Sequence, residues 1–290
     1  MMNNNRPRRS VLYMPGANTR ALEKAKSLAA DSLILDLEDA VAPEAKVSAR
    51  SNIQAALESG FGHRETVVRI NGLNTPWGLD DLKAFAHSKA DAILIPKVES
   101  AAQIQVVAEQ IKQLNPSHQL TIWAMIETPM AIFRLPEICS AHPLLETLAL
   151  GTSDLVKDLH ARHTPDRAET LTALSLSVLA ARAHQLCVLD GVHLSLDDEL
   201  GLKSSCIQGR DMGFDGKTLI HPSQIAIAND IFGPSPGEIE EAKQRIAAYE
   251  LAIQSGAGIA VLNGKLIEEL HIQDAKRILA LAEAINSFNR

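Results

Sequence analysis

Aromatic residues are scarce in this chain, with two Trp, two Tyr and six Phe among 290 residues. A core must therefore be filled by Ile, Leu, Val and Ala, which a hydrophobic content of 46% allows. Apolar runs reach about six or seven residues, far below the ~20 needed to cross a bilayer, so no membrane partner is expected. Cysteine is sparse and unpatterned. Cys139, Cys187 and Cys206 are odd in number and show no CxxC spacing, which argues against a disulfide framework and fits a reduced, cytoplasmic setting. Positive charge does not gather either: 28 basic against 35 acidic residues give a net charge of −7, with no long basic stripe. Nucleic-acid binding is therefore not expected, although a few local Arg and Lys suffice for an anionic small substrate. The opening MMNNNRPRRS lacks an apolar h-region, so a signal peptide is not expected.

What the chain does contain is alternation. Short apolar runs at 10–16, 32–39, 66–71, 92–98, 121–127, 146–151, 186–194 and 217–222 read as strands. They are near-continuously apolar, as parallel strands buried on both faces are. Between them lie segments such as 19–30, 101–114 and 173–186, whose apolar residues recur at three- and four-residue intervals, the helical period. Eight such units predict an α/β fold, a (β/α)8 TIM barrel over 1–235. A C-terminal helical extension over 236–290, a candidate lid or oligomer arm, is expected to follow: a helix, a Gly-rich link at 256–264, then a last amphipathic helix. The runner-up, an open doubly wound sheet, lacks its GxGxxG fingerprint, because the first strand runs into MPGANTR with one glycine.

Barrel enzymes carry their chemistry at the C-terminal ends of the strands. Those ends here hold Asp36, Glu38 and Asp39; Arg69 and Asn71; Lys97 and Glu99; Glu127; Asp154; Asp190 and His193; and His221. Charges are rarely buried unless paired or bound to metal. Several carboxylates with an Arg and a Lys on one rim suggest an anion site built around a hard cation. Glu127 and Asp154, read as lone carboxylates on adjacent strands, suit Mg²⁺, which takes one or two carboxylates and completes its shell with water and substrate oxygens. Each residue also has a plain structural reading. A strand-end Glu can cap a helix, Arg69 can bridge carboxylates, Lys97 can pair with Glu99 or Asp39, and His221 can bond a turn. His160 and His163 resemble a metal pair without a third ligand. Gly16 and Arg20 at the start of the first helix offer a phosphate-binding turn.

Seven motifs, RRSVLYMPGAN (8–18), LDLEDAVAPEAK (35–46), VVRINGLNTPWG (67–78), ILIPKVES (93–100), MIETPMAI (125–132), LALGTSDL (148–155) and FDGKTLIHPSQI (214–225), resemble in order those of the citrate lyase beta-subunit family, the HpcH/HpaI aldolase and malyl-CoA lyase-type group. The resemblance implies a Mg²⁺-binding TIM barrel with Glu127 and Asp154 on the metal and Arg69 on acid and carbonyl oxygens. It also implies Glu38 and Asp39 supporting the metal shell, and a homo-oligomer, trimer or hexamer, with a C-terminal lid. Several relatives carry an acid–base Asp on that lid; Glu268 stands at the matching position, a departure from the pattern. The activity implied is cleavage of a 3-hydroxy-3-carboxyl acyl-CoA, citramalyl-CoA or malyl-CoA, to acetyl-CoA and a 2-keto acid, pyruvate or glyoxylate. The alternatives are a citryl thioester lyase, a Schiff-base aldolase using Lys97, and a non-catalytic CoA-ester-binding protein.

Overall fold

A computed structural model describes residues 6–117, 120–254 and 259–288. Its eight parallel strands are β1 (Ser10–Pro15), β2 (Ser32–Asp36), β3 (Glu65–Arg69), β4 (Ala92–Ile95), β5 (Thr121–Ile126), β6 (Leu145–Leu150), β7 (Cys187–Asp190) and β8 (Gly216–Leu219). Each pairs with the next, and β8 returns to β1 to close the barrel. The helices are α1 (Thr19–Ala25), α2 (Lys46–Ser59), α3 (Gly78–Phe85), α4 (Ala101–Leu114), α5 (Pro129–Phe133), α6 (Leu135–Cys139), α7 (Thr152–Asp158), α8 (Leu171–Ala183), α9 (Glu199–Met212) and α10 (Ile225–Phe232). This is the (β/α)8 barrel the alternation predicts.

The strands end earlier than their apolar runs suggest, because local chemistry turns the chain. After β5, Pro129 sits at the first turn of α5 and the Thr128 hydroxyl accepts the Ala131 N–H at 3.2 Å. A strand is thus converted into a helix within three residues. After β4, Ser100 and Gln103 form a capping box that starts α4. Residues two apart on one strand, such as Ala92 and Leu94 or Trp123 and Met125, join Val11, Ile34 and Val67 in one buried cluster, the spacing of side chains on one face of a strand. Trp123 is fully buried there, so one of the few large aromatics fills the centre.

The N-terminal end of the barrel is closed by charge. Arg8 gives Nε and Nη2 to Glu65 at 2.7 and 2.6 Å, Nη2 lies 3.0 Å from Glu146, and the guanidinium sits 5.1 Å from the Trp123 ring centroid. The Ser32 hydroxyl donates to Glu65 at 2.8 Å. The three cysteines are free and buried, and no described helix is long and apolar enough to cross a membrane.

The chain divides into two compact units. One is the barrel, Arg8–Asn229; the other comprises Asp230–Arg290 with the residues before Arg8. In the second unit, α11 (Pro236–Gln254) is followed by an antiparallel pair, β9 (Ala260–Leu262) and β10 (Lys265–Ile267), and by α12 (Glu269–Phe288). The expected Gly-rich link is therefore in part a hairpin; its residues 256–258 lie outside the described residues. Asn263 and Gly264 both take positive φ, 52° and 75°, the backbone of a two-residue hairpin turn whose twist matches the strands. Ala260, Ile267 and Ile272 are buried against Ile246 and Tyr249.

Candidate active site

The C-terminal rim of the barrel gathers the charged residues. Asp36, the last residue of β2, accepts Arg69 Nε at 2.7 Å and Nη2 at 2.6 Å, while its oxygens also accept the Glu38 and Ala40 N–H groups. Arg69 Nη1 then lies 2.9 Å from Glu38 and 3.6 Å from Asp39. Strand alternation would have sent Asp39 away from Asp36 and Glu38. Because β2 stops at Asp36, the turn instead brings all three carboxylates to one guanidinium. Beneath it lies the Tyr13 ring, 4.9 Å from the Arg69 centre. A planar guanidinium held by a fork and stacked on a ring is well oriented.

Glu127 is the first residue past β5 and is only 2% exposed. Its Oε1 accepts the Lys97 backbone N–H at 2.8 Å. That N–H is aimed by an uncommon conformation, φ +48° at a non-glycine residue. On the other side stands Gly151. A Cβ there would lie 2.5 Å from both Cβ and Oε2 of Glu127, so only glycine leaves room for the carboxylate. Burial pushes the Glu127 carboxyl up to about 7; the Lys97 N–H and Arg69 oppose the rise, and the charges of Glu38 and Asp154 add to it. Asp154 stands in the first turn of α7 rather than on a strand, with Lys157 3.9 Å away on the surface.

The residues fit a hard divalent cation. Glu127 has no ion pair among the described residues and feels the charge of Asp154. An anionic pocket whose carboxyl prefers a proton near neutrality is one that a cation stabilises. No three His, Cys, Asp or Glu of the described residues converge as a metal cage; Mg²⁺ takes one or two carboxylates and fills its shell with water and substrate oxygens.

Lys97 is half exposed, with Nζ 3.6 Å from Glu38. Burial lowers its pKa, but Glu38, Asp39, Glu127 and Asp154 together raise it above the usual lysine value. A Schiff-base lysine needs the opposite shift. Gly16 donates its N–H to the Asp36 carbonyl at 2.9 Å and a Cβ there would clash with Ile53, so it serves close packing of β1 on β2. The exposed Arg20 lies on α1, which has seven residues and whose N-terminus is capped by the Asn18 side chain. His163 lies 3.9 Å from Glu169, and His221 bonds the Ser223 N–H and hydroxyl as an ordinary turn cap. Asp190 is taken up by Arg167 at 2.7 Å and Lys217 at 2.8 Å. Glu268 is on the second unit, exposed between β10 and α12, its N–H donating to His271 Nδ1 at 3.0 Å. Sequence reasoning missed Gly151, Tyr13 and the bidentate role of Asp36; the first two carry no charge, and their function is visible only through what they touch.

A closed (β/α)8 barrel with charged side chains gathered at the C-terminal ends of its strands has the layout of the barrel enzymes. A profile of the HpcH/HpaI aldolase/citrate lyase family matches residues 9–222, and the chain belongs to that family. It is 53% identical over 283 residues to the (3S)-malyl-CoA thioesterase of Cereibacter sphaeroides, covering 97% of both chains. It is 36% identical to the citrate lyase subunit beta of Leuconostoc mesenteroides, covering 98% of this chain and 96% of the relative. Among solved structures, Mycobacterium tuberculosis CitE in complex with magnesium, acetoacetate and coenzyme A superposes with a TM-score of 0.74 at 29% identity. The match covers 94% of this chain and 97% of that one.

Proposed function

We propose that this chain is a Mg²⁺-dependent enzyme acting on a malyl-type CoA thioester, with Glu127 and Asp154 holding the ion. The observation that carries this is the buried Glu127 carboxyl, pushed up to about 7 beside the charges of Glu38 and Asp154 and given room by the missing Cβ of Gly151. When bound, Mg²⁺ supplies charge stabilisation at substrate hydroxyl and carboxylate oxygens. Arg69 is the cation that would face negative charge developing on the substrate. Asp36, Glu38 and Asp39 fix that guanidinium, and Lys97 holds Glu127 through its N–H and adds a positive charge at the mouth.

The reaction we favour is hydrolysis: water adds to the thioester carbonyl, the carbon–sulfur bond breaks, the water oxygen stays on carbon, and a water proton goes to the departing CoA sulfur. Its support is the 53% identity to a malyl-CoA thioesterase over nearly the whole of both chains. The second reading is carbon–carbon cleavage of malyl-CoA or citramalyl-CoA to acetyl-CoA and glyoxylate or pyruvate, supported by the similarity to citrate lyase beta subunits. In that reading the hydroxyl proton is lost, the carbon–carbon bond breaks, and the thioester enolate takes up a proton at carbon. A homo-oligomer, trimer or hexamer, belongs to either reading and is measured by light scattering. One assay separates the reactions. With (3S)-malyl-CoA and Mg²⁺, hydrolysis gives free thiol and malate, whereas cleavage gives acetyl-CoA and glyoxylate with no thiol. We expect thiol release that EDTA abolishes; turnover indifferent to EDTA would overturn the metal assignment.

A further inference from the structure

Lys46 opens α2 and is 6% exposed. Among the described residues its ammonium has no carboxylate partner. Instead Nζ donates to the Leu37 carbonyl at 2.8 Å and to the Glu38 carbonyl at 2.7 Å, and sits 5.5 Å from the centroid of the Trp77 ring. A buried charge held only by two carbonyls and an aromatic face is costly to place unless something gains from it. Trp77 is itself held in place. The Asp81 carboxylate after it binds Arg50 at 2.8 Å and the Asn71 N–H at 3.0 Å, and a Cβ at Gly78 would collide with the Gly72 and Asn71 carbonyls.

The gain lies on the far side of the two peptides. The peptide whose carbonyl is Leu37 presents its N–H, that of Glu38, to Asp36 Oδ1 at 2.8 Å. The peptide whose carbonyl is Glu38 presents its N–H, that of Asp39, to Glu38 Oε2 at 3.3 Å. Each peptide dipole therefore has its negative end on Lys46 and its positive end on a carboxylate that grips Arg69. A planar peptide moves as one piece, so what fixes the carbonyls also fixes the N–H groups.

We propose that Lys46 is a positioning residue for the Arg69 anion site, holding the Leu37–Asp39 peptides so that Asp36 and Glu38 set the guanidinium for a substrate carboxylate. The role rests on the proposed function, because it assumes that Arg69 faces a substrate anion beside the metal. Lys46 touches neither. Its loss should weaken anion binding without weakening the metal site, a pattern that general disruption does not give.

The test is calorimetric titration of the full chain with Mg²⁺ alone and then with oxalate, a small dicarboxylate, at saturating Mg²⁺. Lys46→Met keeps the aliphatic stem on Trp77 and removes the charge and donors. It is expected to weaken oxalate binding about tenfold or more while Mg²⁺ affinity stays within about threefold. Lys46→Arg, which restores charge and donors, should bind oxalate within about threefold of wild type. Wild-type oxalate affinity in Lys46→Met overturns the proposal, as does a parallel loss of Mg²⁺ and oxalate affinity. Should Lys46→Met not fold, a loss of about tenfold in Lys46→Arg overturns it. A wild-type protein that binds Mg²⁺ but not oxalate overturns the proposed function instead, and this role with it.

Discussion

Both ends of the barrel bury an arginine against carboxylates, and the two clusters differ in what they leave unsatisfied. At the N-terminal end, Arg8 takes both oxygens of Glu65, Ser32 adds a hydrogen bond, and Glu146 is shared between Arg8 and the Thr121 hydroxyl. Every carboxylate there has a partner in the chain. At the C-terminal end, Arg69 faces Asp36, Glu38 and Asp39, Lys97 stands off at 3.6 Å from Glu38, and Glu127 and Asp154 remain beyond them. The first sets one guanidinium against two carboxylates, both bonded to it. The second sets Arg69 and Lys97 against five carboxylates, with Lys157 3.9 Å from Asp154 at the surface and the buried Glu127 held by a backbone N–H rather than a cation; that larger excess of negative charge is tolerable where a ligand supplies the balance.

The largest expected effect contrasts the two ends directly. Glu127→Gln should lower Mg²⁺-dependent turnover by about 10²–10³ or more, with a melting temperature equal to or above wild type, since a carboxyl disfavoured as an anion is removed. Glu65→Gln should do the reverse, costing about 3–5 kcal/mol of stability by breaking a buried pair with kcat/KM nearly unchanged. Thermal melts and steady-state kinetics on both variants read this out. If both variants lost stability alike, the contrast would fail.

Next in size is Gly151→Ala. The added methyl would meet Glu127 within 2.5 Å, and support of a metal ligand is typically worth about 10–100-fold in metal affinity. Calorimetry should show that loss with near-normal circular dichroism.

These two positions also mark what could be read from the chain. The eight strands and their order were legible because parallel strands buried on both faces are continuous apolar runs. Glu38, Asp39, Arg69, Lys97, Glu127 and Asp154 were legible because charges beside such runs are conspicuous. Strand ends were not, since Thr128-Pro129 and the turn after Asp36 set them by capping and hydrogen bonding, and so Asp154 falls on α7. Gly151 was hidden because a missing Cβ matters only once Glu127 is folded against it. The hairpin before α12 was signalled by Asn263-Gly264 and obscured by reading its glycines as a linker.

A smaller effect concerns pH. Glu127 is pushed up to about 7 from an unfolded value near 4.5, so between these values the folded metal-free chain binds more protons than the unfolded one. Its stability should therefore fall as pH rises from about 4.5 to about 7. Saturating Mg²⁺, which favours the ionised carboxylate, should flatten that slope, and Glu127→Gln should remove it. Melting curves across this range with EDTA or Mg²⁺ decide the matter; a metal-free stability that rises through the interval would contradict the assignment.

The smallest expected change is at Lys97. Lys97→Met keeps the backbone N–H on Glu127 and removes only a half-exposed charge, so kcat/KM should drop by no more than about tenfold. Borohydride with pyruvate or glyoxylate should trap nothing on the wild-type chain. Abolished activity together with trapping would make Lys97 a nucleophile and the acidic rim its accessory.

The central claim is that Glu127 and Asp154 jointly hold one divalent ion at the open end of the barrel. Calorimetric titration of Mg²⁺ into metal-free wild type, Glu127→Gln and Asp154→Asn near pH 8 tests it most directly. The account predicts a single site per chain in wild type, weakened about a hundredfold in each variant with the fold retained. Wild-type Mg²⁺ affinity in either variant would contradict it.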